Sequence, residues 1–555
     1  MMPTVTISTH TTASKPRPHI IYTINAKVDG KELIAHRRYS EVEALKDPYT
    51  LPPKRLLATT FIPSAWVDDE LIAERKVGLA EYLVDLLSTP RFKDKSLLYE
   101  FLSAQTIERD MKFDPEDALP STLTRKEAMQ IAAGEPSEAT LSTANANASK
   151  IAGAYYTYWG GSARPPESID YSKFDLLFYA FGVPTSSNTL DISNTALLKR
   201  LVTGARTSGH GTRVLISIGG WGGCQYFSQA CSTSANRTKF ANSIAAAINT
   251  YNLDGVDLDW EFPNSPGAGQ PYSAADTANL LSLIKLLRIS LGPCKIISAA
   301  VSHMPWLGSN GKPLTDVSAF AAEMDYVIIM NYDVWGASAT PGPNSPYGNL
   351  CGTSWQPQAS AQAAYKQWTA AKFPGNKLIL GCALYGYVSK STKTVLTGSS
   401  VPTPEMLLLQ KTETKGSDGK VEVTEFLNGA HPNTTLQVTN PEADAPTINA
   451  AANLTGYWGK QIAFKDIVGA GALVKRSDGN YGQAGGFTMG WDNCSNTPYL
   501  FNKDQSTVVT YDDTWSLTDK AKLVVSSNMA GCATWSLDQD DGITLHNAIR
   551  KGLGK

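Results

Sequence analysis

Long apolar runs are missing from this chain of 555 residues, and so is any strong excess of charge. No stretch approaches the roughly 18 consecutive apolar residues that a membrane-spanning helix needs. The segment Met1 to Pro18 is rich in Thr and Ser and lacks the apolar core of a secretory signal. We therefore expect a cytoplasmic chain, whose delivery outside the cell would need an unconventional route. A formal net charge of -2 argues against a nucleic-acid partner.

Cysteine and histidine are also scarce, at seven residues each. The odd number of cysteines, without any Cys-x-x-Cys pair, indicates neither a complete disulfide framework nor a zinc site. Cys224 and Cys231 are close enough in sequence to pair, and whether they do is left open. Reduced thiols are favoured in a chain without an export signal. We expect no metal and no cofactor.

A polar segment at 105–149 divides the chain into two parts. It is rich in Ala, Ser, Thr and Glu and contains several prolines, which is typical of a flexible linker. A chain of this length also exceeds what a single hydrophobic core normally serves. The sequence therefore predicts an N-terminal domain at 4–104 and a larger C-terminal domain at 150–555.

The C-terminal part alternates between short apolar runs and amphipathic stretches of helical length. Eight runs are candidate strands, at 151–156, 176–181, 214–219, 255–260, 296–301, 327–331, 378–384 and 531–535. This alternation predicts a parallel α/β fold, and eight repeats favour a closed (β/α)8 TIM barrel. The gap between 384 and 531 is too long for one crossover helix. We expect a small α+β insertion there, between strands 7 and 8, at about 388–490.

Three acidic residues alternate along the fourth predicted strand, which reads D-G-V-D-L-D-W-E at 254–261. Because strand side chains alternate between two faces, Asp257, Asp259 and Glu261 share one face. Adjacent carboxylates raise one another's pKa and cost stability unless they share protons. A solvated edge strand or a cation site would also accommodate such acids. The place of Glu261 at the carboxyl end of a barrel strand, where barrel enzymes hold their chemistry, favours catalysis.

The motif at 254–261 resembles the complete signature of family 18 glycoside hydrolases, the chitinases and their relatives. Further motifs of that family follow in the same order, with Ser-Ile-Gly-Gly at 217–220, Met-Asn-Tyr-Asp at 330–333 and Trp535 closing strand eight. The segment 491–513 is similar to relatives that carry the α+β insertion. The seventh strand departs from the family at 381–387, where many relatives have a proline and, after the glycine, an arginine or another polar residue.

The resemblance implies retaining hydrolysis of chitin, a β-1,4-linked N-acetylglucosamine polymer, or of its oligomers, in which the substrate's own acetamide replaces a protein nucleophile. It implies that Glu261 acts as general acid and then base, and that Asp259 stabilises the positive intermediate. Asp257 would share a proton with Asp259, and Tyr332 would hold the acetamide oxygen. The resemblance and the fit of sugar faces to aromatic rings give a substrate-binding set of Trp535, Trp221, Met330, Asp333, Trp335 and Phe181. Ser217 and Asp254 would support the carboxylates and the barrel.

Two other functions stay open for this domain. A cytosolic endo-β-N-acetylglucosaminidase that cleaves N-glycan cores would use the same acid and acetamide. A chitin-binding lectin would keep the barrel, but such relatives usually lack the acid, whereas Glu261 is present. The insertion and Trp535 favour a deep cleft for a polymer.

The N-terminal part predicts a hairpin, with strands at 19–24 and 33–39 around Asp29-Gly30, then a Pro-Pro-Lys-Arg loop and a helix from about Asp69. This order resembles a phox-homology (PX) domain, which implies binding of phosphatidylinositol 3-phosphate. The implied lipid ligands are Arg38 for the 3-phosphate, Tyr39 for the ring, Lys54 for the 1-phosphate and Arg75 for ring hydroxyls or a 4-phosphate. A solvated basic edge at Arg37 and Arg38 is the alternative.

Together these features predict a monomer that binds endosomal or vacuolar membranes peripherally. A protein that works chiefly as a membrane adaptor is a further alternative.

Overall fold

The computed structural model of the chain describes residues 3–13, 19–38, 42, 69–88, 96–103, 150–397, 411–415, 421–425 and 451–555. The chain forms two compact units, which are described in turn. In these ranges no helix combines the length and the apolar character needed to cross a membrane. The predicted linker at 105–149 lies outside the described residues.

The N-terminal unit contains a three-stranded antiparallel sheet and two helices. Its elements are β1 (Thr4–Ala13), β2 (His19–Val28), β3 (Lys31–Arg37), α1 (Asp69–Ser88) and α2 (Ser96–Ser103). Asp29 and Gly30 both have positive φ, as a two-residue hairpin turn requires, so the predicted hairpin is present. Its core includes Ile24, Leu83 and Leu102. Strand β1 was not predicted, because its Thr-rich sequence resembles a polar tail.

The larger unit is a closed barrel of eight parallel strands, which confirms the predicted (β/α)8 TIM barrel. Strand β4 pairs with both β5 and β21, and these pairings close the barrel. The strands are β4 (Ile151–Thr157), β5 (Leu176–Pro184) with its short antiparallel extension β6 (Leu190–Ile192), β7 (Arg213–Gly219), β8 (Gly255–Asp259), β9 (Ile296–Val301), β10 (Tyr326–Met330), β11 (Leu378–Ala383) and β21 (Gly531–Trp535).

Helices follow most of the barrel strands, and one further helix, Phe464–Gly469, lies in the region inserted before the last strand. They are α3 (Thr195–Thr207), α4 (Phe227–Ser232), α5 (Ser234–Thr250), α6 (Asp276–Leu291), α7 (Ser318–Glu323), α8 (Ala361–Ala370), α9 (Phe464–Gly469), α10 (Thr514–Ser526) and α11 (Thr544–Leu553). Helix α10 shows why they form where they do. Asp513 caps its first turn by accepting from the backbone of Ser516, and Leu517, Ala521 and Val524 recur on its buried face.

A small α+β region is inserted between β11 and β21, as predicted. Its main sheet has the order β15-β12-β20-β19-β18. The inserted strands are β12 (Tyr385–Lys390), β13 (Lys411–Lys415), β14 (Val421–Glu425), β15 (Lys460–Ala463), β16 (Leu473–Lys475), β17 (Tyr481–Gln483), β18 (Thr488–Asp492), β19 (Thr497–Asn502) and β20 (Thr507–Thr510). Only Leu384 separates β11 from β12, so the inserted sheet begins at the rim of the barrel.

One disulfide bond ties the insertion to the barrel. It joins Cys351, between β10 and α8, to Cys494, between β18 and β19. The sequence did not predict this bond, because its partners are 143 residues apart and no local spacing marks them. Cys224 and Cys231 are buried and free.

Candidate active site

Asp257 lies inside the barrel and is bound by three hydroxyl groups from three different strands. Its Oδ2 accepts from the Tyr155 hydroxyl at 3.0 Å and from Ser217 Oγ at 2.8 Å. Its Oδ1 accepts from Ser298 Oγ at 2.8 Å. Burial raises the pKa of Asp257, and the three hydrogen bonds oppose that rise. Barrel closure therefore builds a polar socket around a carboxyl group that water does not reach.

Asp259 is the middle acid of the row, and its carboxyl group is less well hydrogen-bonded than that of Asp257. Its Oδ1 is buried and accepts no hydrogen bond from the part of the chain that the structure describes. Burial and the charges of Glu261 and Asp257 raise its pKa well above the usual range. The protonated form of Asp259 is therefore favoured. The alternation of the strand is as predicted, since Trp260 faces away and stacks on Phe227 at a centroid distance of 4.9 Å.

Glu261 follows β8 at the carboxyl end of the barrel. Burial, followed by the charge of Asp333, raises the pKa of Glu261 to about 7. Its backbone N–H donates to Cys224 Sγ at 3.3 Å, which anchors the chain behind the carboxyl group. A pKa near neutrality suits a group that first donates a proton and later accepts one.

Tyr332 and Asp333 follow β10 after one residue, Asn331, and bring a hydroxyl and a carboxylate to the same cavity. Burial, and then the charges of Asp259, Glu261 and Asp333, raise the pKa of Tyr332 well above its usual value. Its hydroxyl therefore remains a donor. Asp333 has a φ of 55°, in the left-handed region, which is rare for a non-glycine residue and marks a backbone held by its surroundings.

The inserted sheet holds the side chain of Asp333. Its Oδ1 accepts from the Tyr385 hydroxyl at 2.6 Å and from the Tyr387 hydroxyl at 2.7 Å, both on β12. Gln461 on β15 is 3.4 Å from the same oxygen through Nε2 and donates to the Tyr387 hydroxyl at 2.8 Å. The insertion thus contributes polar groups to the site as well as a wall.

Two glycines let the end of β7 pass close to the acid row. Gly219 and Gly220 have φ values of 116° and 79°, and the Gly220 N–H donates to the Asp259 carbonyl at 2.9 Å. A Cβ on Gly220 would lie 2.6 Å from the Phe181 ring. Close packing therefore accounts for the two glycines of the Ser-Ile-Gly-Gly motif, and both of them line the cavity described below.

Trp535 closes β21 and joins an aromatic cluster beside the acids. Its ring stacks on Phe181 at 5.5 Å and meets the edges of Tyr155 at 5.3 Å and Trp159 at 6.3 Å, all measured between centroids. Trp535 is partly exposed to the cavity, whereas Tyr155 is buried beneath it. This cluster places aromatic rings in two orientations beside the acids.

A cavity of about 920 Å³ brings these groups together. Eight predicted site residues line it, namely Glu261, Asp259, Tyr332, Asp333, Met330, Phe181, Trp221 and Trp535. Other lining residues were not predicted, among them Tyr158, Trp159, Ser302, His303, Tyr387 and Gln461. Trp159 could have been found from its place just after the first strand. Gln461 carries no signal, because only the folding of the insertion brings it near.

Residues 152–540 match the model of glycosyl hydrolases family 18. The chain belongs to glycosyl hydrolase family 18. Residues 28–105 match the PX domain model, so the chain joins a PX domain to a family 18 barrel.

Relatives extend this likeness over most of the chain. Chitinase-like effectors from Moniliophthora perniciosa and Moniliophthora roreri are 32% and 34% identical. These matches cover 74% and 75% of this chain and 88% and 96% of the relatives. The solved structure of chitinase RmChi1 from Rhizomucor miehei is 29% identical, with a TM-score of 0.57, and the match covers 73% of this chain and all of that one at 100%.

Four predicted site residues of the family 18 barrel, Asp257 among them, do not line the cavity. Ser217 lies beneath it, bonded to Asp257. Asp254 lies at the amino end of β8, where its Oδ2 accepts from Arg206 Nη2 at 2.7 Å and from the Val214 N–H at 2.6 Å, so it supports the barrel and does not reach the carboxylates. Trp335 packs at 5.7 Å from Trp355.

In the PX domain, the two adjacent arginines have different environments. Arg37 is buried, its Nη2 donates to the Phe101 carbonyl at 2.5 Å, and its guanidinium lies 4.8 Å from the Phe101 ring centroid. Arg38 follows β3 and is partly exposed. The alternative prediction, a solvated basic edge formed by Arg37 and Arg38, is therefore wrong for Arg37. Tyr39, Lys54 and the side chain of Arg75 lie outside the described residues.

Proposed function

We propose that the chain is a retaining, substrate-assisted chitinase, which hydrolyses β-1,4-linked N-acetylglucosamine polymers or oligomers. The observation that carries this proposal is Glu261, with a pKa raised to about 7, at the end of the acid row and inside the cavity. A neutral carboxyl group at this position can protonate a leaving oxygen near neutral pH.

In the first step, Glu261 would protonate the glycosidic oxygen. The acetamide oxygen of the substrate would attack the anomeric carbon, and the bond from that carbon to the leaving sugar would break. The product on the reacting sugar is a positively charged oxazolinium ring. In the second step, ionised Glu261 would take a proton from water, whose oxygen attacks the anomeric carbon and reopens the ring.

The acids behind Glu261 would respond to the charge of that intermediate. Asp259 and Asp257 share a low-dielectric environment, so one proton between them is favoured over two negative charges. When positive charge develops next to Asp259, the proton can shift towards Asp257 and leave Asp259 ionised. The Tyr332 hydroxyl, kept protonated by its raised pKa, would donate to the acetamide oxygen.

The substrate class follows from the cavity walls. Trp221 is 58% exposed and Trp159 is 51% exposed, and both line the cavity. Exposed tryptophan faces in a cavity are suited to the C–H faces of sugar rings. The names of the relatives, chitinase-like effector and chitinase, support a chitin-derived ligand.

Chitin binding without hydrolysis is the second candidate, because two relatives are named chitinase-like. The presence of Glu261, Asp259 and Asp257 in one row favours hydrolysis over binding alone.

A comparison of two carboxylates tests the proposal. The purified full-length protein is incubated with the N-acetylglucosamine hexamer, and the products are separated by chromatography. Glu261→Gln should lower kcat by about a thousandfold while the affinity for the oligomer is kept. Glu167→Gln, which removes a surface carboxylate paired with Arg200 at 2.6 Å, is the matched control and should leave kcat unchanged.

The outcomes separate the candidates. Normal turnover by Glu261→Gln would remove Glu261 from its role as the acid. Binding of the hexamer by wild type without any product would favour the second candidate.

For the N-terminal domain, we propose peripheral binding to membranes that contain phosphatidylinositol 3-phosphate, such as endosomal or vacuolar membranes. The match to the PX model and the exposed part of Arg38 at the end of β3 support this proposal. The monomeric state stays a prediction.

A further inference from the structure

Lys520 on α10 forms a fully buried ion pair with Asp512. Its Nζ lies 2.6 Å from Asp512 Oδ1, and both side chains have no exposed surface. Asp512 Oδ2 is buried and lacks a hydrogen-bond partner within the described residues. Burying two charges costs more than their attraction returns unless other groups complete the site. Ser516 Oγ also donates to Asp512 Oδ1 at 2.7 Å, and Lys520 has a second partner of its own.

A second hydrogen bond connects Lys520 to the catalytic side of the barrel. Lys520 Nζ donates to Ser345 Oγ at 2.8 Å, and Ser345 Oγ donates to the Asn331 carbonyl at 2.5 Å. A serine hydroxyl has a single proton, so donation from the ammonium leaves that proton for Asn331. The chain of donors ends on the residue directly before Tyr332.

The residues around Ser345 hold the same loop at three more points. The Asp333 N–H donates to Asn344 Oδ1 at 3.0 Å, and the Val334 N–H donates to the Asn344 carbonyl at 3.0 Å. Asn331 Nδ2 donates to the Pro346 carbonyl at 3.1 Å. The loop includes the left-handed backbone at Asp333, which such contacts must maintain.

We propose that Lys520 is a positioning residue for the Tyr332 hydroxyl and that it acts through Ser345. The ammonium orients the Ser345 hydroxyl, which fixes the Asn331 carbonyl and with it the peptide that carries Tyr332. Lys520 itself does not line the cavity and touches no substrate. This inference rests on the proposed function, in which Tyr332 binds the acetamide.

A double-mutant cycle between Ser345→Ala and Tyr332→Phe tests the inference. In the full chain, Ser345→Ala should lower kcat/KM for the N-acetylglucosamine hexamer by about tenfold, because catalytic groups tolerate little displacement. With Tyr332→Phe already present, the same change should cost less than about twofold, because the positioned hydroxyl is gone. An unchanged tenfold loss in that background would overturn the inference, and so would wild-type kcat/KM in Ser345→Ala.

Lys520 is examined with a variant that leaves no unpaired buried charge. Lys520→Met with Asp512→Asn removes both charges together, and calorimetric melting shows whether the fold is kept. This double variant should show the same coupling to Tyr332→Phe as Ser345→Ala, and additivity would contradict the proposal.

The same cycle is also read from the calorimetric Kd of the hexamer in a Glu261→Gln background, which binds without cleaving, and this measurement separates two failures. If wild type binds but does not cleave, the proposed hydrolysis fails while coupling in Kd still supports positioning. Additive effects on Kd overturn the positioning itself, and absence of both binding and cleavage overturns both proposals.

Discussion

The Asp333 carboxylate, after β10, acts on the Glu261 carboxyl, after β8, through its charge. Burial and then this charge raise the pKa of Glu261 to about 7. Asp333 is itself held by the hydroxyls of Tyr385 and Tyr387 on β12. The insertion therefore influences the strength of an acid that belongs to the barrel.

We predict that Asp333→Asn shifts the pH dependence of hydrolysis. As the general acid, Glu261 must be protonated, so activity falls as the pH rises through its pKa of about 7. Removal of the negative charge lowers the pKa of Glu261, and the basic limb of the kcat/KM profile should move down by about one pH unit. Asp316→Asn, at an exposed aspartate paired with Lys372, is the control and should leave the limb in place. A basic limb that stays fixed in Asp333→Asn would contradict the coupling.

We predict that Trp221→Ala weakens binding of chitooligosaccharides. The side chain is 58% exposed and lines the cavity, so its loss removes an aromatic face from the sugar. In a Glu261→Gln background, which binds without cleaving, titration calorimetry should show a Kd for the hexamer that is raised about tenfold. Trp355 is 66% exposed but does not line the cavity, and Trp355→Ala should leave the Kd unchanged. Equal losses in the two variants would mean that binding extends past the cavity, towards Trp335.

We predict that the purified protein contains one disulfide bond. Cys351 and Cys494 are joined by a disulfide, and the other five cysteines are not disulfide-bonded. Thiol titration in denaturant should therefore find five thiols before reduction and seven after it. Because the bond closes a long loop, reduction should also cost about 2–4 kcal/mol of unfolding free energy. Seven thiols before reduction would show that Cys351 and Cys494 are not bonded in solution.

We predict that Arg38→Ala releases the protein from liposomes that contain phosphatidylinositol 3-phosphate. A guanidinium binds a phosphate with two hydrogen bonds, so its loss should weaken sedimentation with these liposomes by about tenfold or more. Lys27→Ala removes another positive charge from the same sheet, where Lys27 is exposed and pairs with Glu32 at 3.4 Å. This control should sediment as wild type does. Equal loss in both variants would indicate attraction by net charge alone.

Much of the architecture could be predicted because short-range sequence patterns specify it. The eight strands have apolar runs of their own, and the hairpin turn at Asp29 and Gly30 needs residues that accept positive φ. Strand β1 was missed because its threonines pair with β2 without a continuous apolar pattern.

The acid row was also determined by the sequence, since strand periodicity alone places Asp257, Asp259 and Glu261 on one face. The roles of the predicted site residues stay predictions, although eight of them line one cavity.

Only the tertiary structure decided the environment of that row. The hydroxyls of Tyr155 and Ser298 reach Asp257 because the barrel closes, and Tyr387 and Gln461 arrive with the inserted sheet. A pKa depends on burial and on charges from other strands, which no local pattern contains. The sequence by itself therefore specified the barrel and its acids. Long-range packing decided how strongly each acid holds its proton, which tyrosines face it, and which cysteines are bonded.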